Sequence, residues 1–446
     1  MEPTPVTEVD MECRGRVVRV LLKRESHHPT GSVKDRTARG LLVSLDRTRA
    51  LTPGTVVVES TSGNLGLGLA RLLRRMDCRL IAVVDPRAPE ATVEALRSMG
   101  AELCLVDEPD HHGGYLLSRL QKVRQLCLDN PGYRWTDQYN NPANPAIHRA
   151  TTGPELFRGA PTAPDAVYVA VSTGGTLAGV AGHVRSVDRG IRIVAVDAEG
   201  SRSVDEHGGG ERLIPGIGSS RRSAFLHPGS YDSVVKVGAA ATVAMCRYIR
   251  QSTGLCLGGS SGAVVHAVLA DQTGPGAPRR PLALCADGGE KYERTIYDDG
   301  WLERYGLADQ VADRIDGYRA EGVVFSLPAE SGEHHRGSDM HIRPPGRLPY
   351  GAPMQSRDDA RAVVRRIWSE ELFVEHVELY DDFFDLGGDS LTAVRVAFRV
   401  QEEFGLDVPV ETLFMAPTVA EFIGALSSLK STEHTEPFRS SGEAAR

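Results

Sequence analysis

The chain reads as an α/β protein followed by a small all-α module. Between about Val17 and Ala286 short β-rich runs alternate with helical stretches. Most of those runs are continuously apolar, as expected of strands buried on both faces of a mainly parallel sheet. Beyond residue 352 the strand pattern stops and amphipathic helical periodicity replaces it.

The strand runs are, in order, "VVRVLLK", "TVVVES", "RLIAVVD", "AELCLVD", "DAVYVAVS", "IRIVAVDA", "SVVKV" and "PLALCAD". They define a first domain over 1–307. From 308 to 352 the pattern dissolves into Gly, Pro, His and Ser, typified by "PAESGEHHRGSDMHIRPPGRLPYGAP", and predicts a flexible linker. The segment 353–430 holds three helical stretches, "RDDARAVVRRIWSEEL", "DSLTAVRVAFRVQEEFG" closed by Gly405, and "TVAEFIGALSSL". The polar residues 431–446 predict a disordered tail.

At 446 residues, 41% hydrophobic and 25% charged, the composition is that of a globular protein of two or three domains. The net charge of −8 recommends neither nucleic acid nor an anionic membrane as partner. Residues 357–429 contain six arginines, no lysine and fifteen acidic residues, a balance of −9, so the first part of the chain is close to neutral. Seven scattered cysteines without a C-x-x-C pair predict reduced thiols in a cytoplasm, with neither a disulfide framework nor a metal site. The amino-terminal "MEPTPVTEVDMEC" lacks the apolar stretch of a signal peptide, and no run approaches membrane-spanning length.

The segment "ESHHPTGSVKDRTARGLL" sets Lys34 at the mouth of a helix. Burial and the positive end of a helix dipole both lower a lysine pKa, which suits an amine to imine chemistry with an aldehyde cofactor. Alone, that segment is better explained as a solvated helix start. Two loops change the balance. "ESTSGNLGLGLA" ends a strand in small hydroxyl and glycine residues, leaving free N–H groups that suit a carboxylate, with the Asn64 amide beside them. "VSTGGTLAGVAG" forms a Gly and Thr cradle at Ser172, Thr173, Gly174, Gly175 and Thr176, suited to a phosphate.

With those segments the chain resembles the cysteine synthase and cystathionine β-synthase family of fold-type II pyridoxal phosphate (PLP) enzymes, from about Thr4 to Tyr305. The resemblance implies two subdomains with open, mainly parallel sheets. It implies that Lys34 carries PLP as the internal aldimine and later acts as general base. It further implies that Thr61, Ser62 and Gly63 bind the substrate carboxylate, that Asn64 contacts the cofactor's phenolic oxygen, and that Ser172–Thr176 hold its phosphate. The similar segment "DQYNNPANPAIHRATTGPEL" adds Gln138 to the carboxylate site. The chain departs from the family at Gly288, where a serine usually faces the pyridine nitrogen, and at His28, where asparagine is common.

"VVDPRAPEATVEALRSMGAELCLVDEPDHHGGYLLSRL" and "PGIGSSRR" look closest to siderophore-pathway synthases that join O-phospho-L-serine to L-glutamate, yielding a 2,3-diaminopropionate precursor. Arg221 and Arg222 are candidates for the leaving phosphate, because guanidinium forks match phosphate oxygens.

"DDFFDLGGDSLTAVRV" places Ser390 at the first turn of a helix in an acidic three-helix setting. A serine there is ordinarily an N-cap. The whole module resembles peptidyl carrier proteins, which implies 4′-phosphopantetheine on Ser390. It also implies a phosphopantetheinyl transferase and trans-acting adenylation or tailoring enzymes as partners, drawn by the acidic surface.

The expectation is a PLP-dependent β-replacement, through an aminoacrylate, fused to a carrier in nonribosomal peptide-type biosynthesis and acting as a homodimer on amino-acid substrates. Three alternatives stay open: an O-acetylserine-dependent cysteine synthase or a replacement with another, carrier-bound nucleophile; a serine or threonine deaminase; and a non-catalytic PLP-fold scaffold for the carrier.

Overall fold

The computed structural model describes residues 3–328, apart from 62, 112–113, 161, 206–207, 211 and 275. It also describes 357–426, apart from 373, 375–376, 380, 384–385, 387–389, 405, 407, 410–411 and 414–415. The chain divides into two units, 1–332 and 333–446.

The first unit opens with strands β1 (Val6–Cys13) and β2 (Arg16–Arg24), paired antiparallel from Cys13 opposite Arg16 back to Val6 opposite Lys23. Arg14 and Gly15 both have positive φ, 52° and 73°, the requirement of a two-residue type I′ hairpin turn. Helix α1 (Lys34–Thr48) follows. The chain then alternates through β3 (Val56–Ser60), α2 (Asn64–Arg75), β4 (Arg79–Val84), α3 (Glu90–Ser98), β5 (Glu102–Leu105), α4 (Leu116–Asp129) and β6 (Arg134–Trp135). These four strands form a parallel sheet in the order β5-β4-β3-β6. Val57, Val58 and Val83 are fully buried in it, because helices cover both faces.

The chain returns to the first sheet through α5 (Ala143–Ala150), α6 (Thr152–Arg158), β7 (Ala166–Ala170), α7 (Gly175–Val187), β8 (Arg192–Ala198), β9 (Ser233–Val237), α8 (Ala239–Thr253), α9 (Gly259–Asp271) and β10 (Pro281–Cys285). Helices α10 (Asp299–Arg304) and α11 (Ala308–Ala320) and strand β11 (Val324–Ser326) complete it. The seven strands run β11-β1-β2-β10-β7-β8-β9. β2, β10, β7, β8 and β9 are parallel, and β1 lies antiparallel to both β2 and β11. The expectation of two mainly parallel sheets therefore holds, with an antiparallel edge added. Strand β9 alternates exposed and half-buried residues, as an edge strand does, whereas β10 is buried throughout.

Residues 308–326 correct the linker boundary. Val311, Ile315 and Tyr318 of α11 are buried in the same core as Tyr248 of α8, and Phe325 of β11 joins them. Apolar residues at 311, 315 and 318 make one face of a helix. The first domain thus continues to at least residue 326. The remaining linker residues from 329 and the tail 431–446 lie outside the described residues.

In the second unit, α12 (Arg357–Leu372), α13 (Ser390–Phe404) and α14 (Val419–Leu426) surround a core of Trp368, Phe383, Val396, Val400 and Phe422, all essentially inaccessible. The Trp368 and Phe383 rings meet edge to face, with centroids 5.0 Å apart. A small helical bundle is thereby realised. No described helix is long and apolar enough to cross a membrane.

Candidate active site

A cleft of about 550 Å³ lies among the carboxyl ends of the parallel strands and collects residues from both sheets. This is where open α/β sheets place their ligands. Lys34, Thr61, Gly63, Asn64, Gln138, Ser172, Thr173, Gly174 and Thr176 line it. The three motifs separated in sequence therefore converge on one wall of space. Ser62 lies outside the described residues.

Lys34 is the first residue of α1, after Val33. Its amine has no hydrogen-bond or ion-pair partner among the described residues. Desolvation lowers its pKa to about 8, with the charge of Glu59 pulling the other way. Glu59 lies beneath the carboxylate loop and accepts bonds from Thr136 Oγ1, the Gln138 N–H (3.2 Å) and the Ser60 N–H (2.8 Å). Burial raises its pKa to about 7 despite those donors.

The Ser172–Thr176 loop enters α7 with Gly174 at φ 88°, a left-handed conformation open to glycine. A Cβ on Gly174 would sit 2.1 Å from Ser223 Oγ, which donates to the Thr173 carbonyl at 2.6 Å. Gly175 stands behind the lining, where a Cβ would meet Asn144 Oδ1 at 2.2 Å. Asn144 donates to the Gln138 carbonyl (2.7 Å) and to Thr173 Oγ1 (3.3 Å), tying the two loops together. Gln138 in turn donates to the Ser60 carbonyl at 2.9 Å. A close-packed cradle at a helix start, facing an unpaired amine, fits a phosphate-bearing aldehyde.

Asn64 opens α2, and its amide is held at both ends. Nδ2 donates to Asp287 Oδ2 at 2.8 Å, and Oδ1 accepts from Lys291 Nζ at 2.6 Å. Asp287 also accepts from Tyr292 OH at 2.6 Å, while its buried Oδ1 has no partner among the described residues. Desolvation raises the Asp287 pKa. Gly288 does not line the cleft, whereas Asp287 and Ser260 do.

Under α1 lies a buried ionic cluster. Arg36 donates from Nε to Glu25 Oε2 (2.8 Å) and from Nη1 and Nη2 to Glu155 (both 2.6 Å), and Lys23 Nζ donates to Glu155 at 2.7 Å. His28 is 3.1 Å from Glu25 Oε2, so the family departure at this position joins the cluster.

Arg221 and Arg222 do not line the cleft, which corrects their assignment to a leaving group. Arg221 donates to Asn140 Oδ1 at 3.1 Å and lies over the Tyr139 ring, while exposed Arg222 borders a separate recess with His227. Three other arginines line the cleft: Arg87, Arg119 and Arg212. They come from dispersed segments without a motif, and no local pattern distinguishes them from surface charge.

In the second unit Ser390 is the first residue of α13. The preceding residues 387–389 and the Ser390 side chain lie outside the described part.

A desolvated lysine facing a phosphate cradle and an amide-bearing helix start defines a lysine-dependent enzyme that uses an aldehyde cofactor. The chain belongs to the pyridoxal-phosphate dependent enzyme family, which matches residues 1–284, and it carries a phosphopantetheine attachment site domain, matched over 362–426. Its cofactors are accordingly pyridoxal phosphate and 4′-phosphopantetheine. It is 38% identical over 304 residues to an N-(2-amino-2-carboxyethyl)-L-glutamate synthase of Ralstonia nicotianae, covering 68% of this chain and 89% of that protein. A Cupriavidus metallidurans protein of the same description is 37% identical over 288 residues, covering 64% and 84%. Among solved structures, O-ureido-L-serine synthase matches with a TM-score of 0.60 at 27% identity, covering 68% of this chain and 96% of that one.

Proposed function

We propose that the first domain replaces the β-substituent of an activated serine, O-phospho-L-serine being favoured, with the amine of L-glutamate, making a 2,3-diaminopropionate precursor. The observation that carries this reading is a cleft that sets the Lys34 amine among the glycine-rich loops, with Arg87 and Arg212 on its wall besides Arg119, which pairs with Asp85 at 3.3 Å. The chain's similarity to two proteins described as N-(2-amino-2-carboxyethyl)-L-glutamate synthases supports that product.

When bound, pyridoxal phosphate supplies the electron withdrawal that acidifies the substrate Cα–H. The Ser172–Thr176 cradle would hold its phosphate, and the Asn64 amide would bind its phenolic oxygen. Thr61, Ser62, Gly63 and Gln138 would seat the substrate α-carboxylate at the start of α2. Lys34 Nζ would accept the substrate Cα proton. The Cβ–O bond breaks with its electron pair on the departing phosphate. The incoming amine then forms the Cβ–N bond, sheds a proton to solvent, and Lys34 returns a proton to Cα. Water must be kept from the cleft between these events, because its entry ends in a keto acid and ammonia.

The second domain, by this reading, bears its phosphopantetheine on Ser390 and holds an amino-acid-derived group for nonribosomal peptide-type assembly, loaded in trans by adenylation or tailoring enzymes. Tethering raises the effective concentration of carrier near the enzyme. The seven unpaired cysteines suit a reducing cytoplasm, and homodimer formation is expected of the catalytic domain.

The test is incubation of the purified, cofactor-loaded full chain with O-phospho-L-serine or O-acetyl-L-serine, with and without L-glutamate, followed by mass analysis. A glutamate adduct from phosphoserine is expected. Conversion of acetylserine with indifference to glutamate would move the activity toward a cysteine synthase. Keto acid alone would indicate a deaminase, and no turnover would leave a scaffold for the carrier.

A further inference from the structure

Arg212 lies in the loop between β8 and β9, half-buried at the cleft wall. Its Nη2 donates to Ser220 Oγ at 2.8 Å and its Nη1 to the Gly200 carbonyl at 3.4 Å. Those two bonds use two of the five N–H donors of a guanidinium. Among the described residues no carboxylate reaches ion-pair distance, although Asp197 and Asp110 act on it through space. Desolvation lowers its pKa, and the charge of Arg87 adds to that effect. Arg87 belongs to the other sheet, just beyond β4, and its guanidinium lies 5.3 Å over the Tyr115 ring. Two like charges from two sheets thus face one cleft. A guanidinium removed from water without a counter-ion is costly, and an anionic ligand offsets that cost.

We propose that Arg212 and Arg87 form a second oxyanion subsite, separate from the α-carboxylate loop, that binds the additional anionic group carried by an amino-acid substrate and draws the two sheets together across the cleft. The shared chemistry is an oxyanion held by guanidinium forks, and its source is either the phosphoryl group of the first substrate or the side-chain carboxylate of the second. The inference rests on the β-replacement reading.

The test uses the cofactor-loaded full chain, wild type against Arg212→Gln and Arg87→Gln. Calorimetric titration with inorganic phosphate and, separately, glutarate reads anion binding without turnover. Loss of phosphate affinity by ten-fold or more in both variants, with a matching fall in preference for O-phosphoserine over O-acetylserine, assigns the subsite to the first substrate. An equal loss of glutarate affinity, with KM for glutamate raised and kcat nearly unchanged, assigns it to the second. Wild-type affinity for both anions in the variants, or binding of neither anion by the wild type, overturns the proposal. Arg87 is exposed, so its replacement keeps the test decisive if Arg212→Gln fails to fold. Failure of wild-type enzyme to form a glutamate adduct, with anion binding still lost in the variants, would instead sink the β-replacement reading alone.

Discussion

Lys291 fixes the direction of the Asn64 amide: its ammonium donates to Asn64 Oδ1 at 2.6 Å and to the Thr30 carbonyl at 2.7 Å. The Asn64 nitrogen is thereby turned toward Asp287. An ammonium has no acceptor, so the amide cannot flip without losing this bond.

Lys291→Met is expected to lower turnover about ten-fold or more, in line with roughly 1.5–3 kcal/mol for a hydrogen bond to a charged group. If Asn64 contacts the cofactor as proposed, the absorbance maximum of the bound cofactor should shift with it, because the amide loses its orientation. Lys291→Arg should restore much of both. An unchanged spectrum with reduced turnover would show that Lys291 does not act through Asn64.

The Lys34 amine, with its pKa lowered to about 8, should take up cofactor at a rate that rises with pH and levels off above about 8, as the neutral amine becomes the main form. Stopped-flow absorbance after adding pyridoxal phosphate to stripped protein measures this. Lys34→Ala should retain no cofactor after dialysis.

Arg36→Met leaves Glu25 and Glu155 buried beside Lys23 with too little positive charge, and should cost about 3–5 kcal/mol in urea unfolding. Burial pushes the Glu25 carboxyl up, but hydrogen bonds from His28 and Arg36 outweigh it and hold the group well below the usual range. Glu155 is depressed in the same way by Arg36 and Lys23. Carboxyls with depressed folded values contribute their full stability above the usual carboxylate range and lose it as pH falls through the folded values. The wild type should therefore lose stability steeply in acid, and Arg36→Met should show a flatter acid limb.

Ser390→Ala should abolish the mass increase that follows treatment with a phosphopantetheinyl transferase and coenzyme A, read by intact-protein mass spectrometry. The β-replacement by the first domain should continue in that variant.

Lys34, Asn64 and the Ser172–Thr176 loop could be singled out because each stands in a contiguous motif at a helix start, whereas Gln138 was indicated only by the resemblance of its segment to cysteine synthases. Arg212, Arg87 and Lys291 were not. The parts proposed for them depend on which distant segment faces them, and an isolated basic residue in a loop carries no local signature. Strand β1 escaped for a related reason: "VTEVDMEC" alternates acidic with apolar residues and lacks the continuous apolar run that marked the other strands, until β2 and β11 flank it. Helix α11 has only three buried residues in "ADQVADRIDGYRA", too few to stand out beside a glycine-rich segment.

The strand order also sets a timetable for synthesis. The β1–β2 hairpin is made before the other strands of its sheet, yet β2 pairs with β10 and β1 with β11, at residues 281–285 and 324–326. Through most of translation the hairpin waits with both edges open, while the four-stranded sheet can assemble from segments close in sequence. The larger sheet closes when residue 326 emerges, before the carrier helices exist. Charged Glu8, Asp10, Arg16 and Arg19 on the waiting strands guard those edges against pairing with a neighbouring nascent chain.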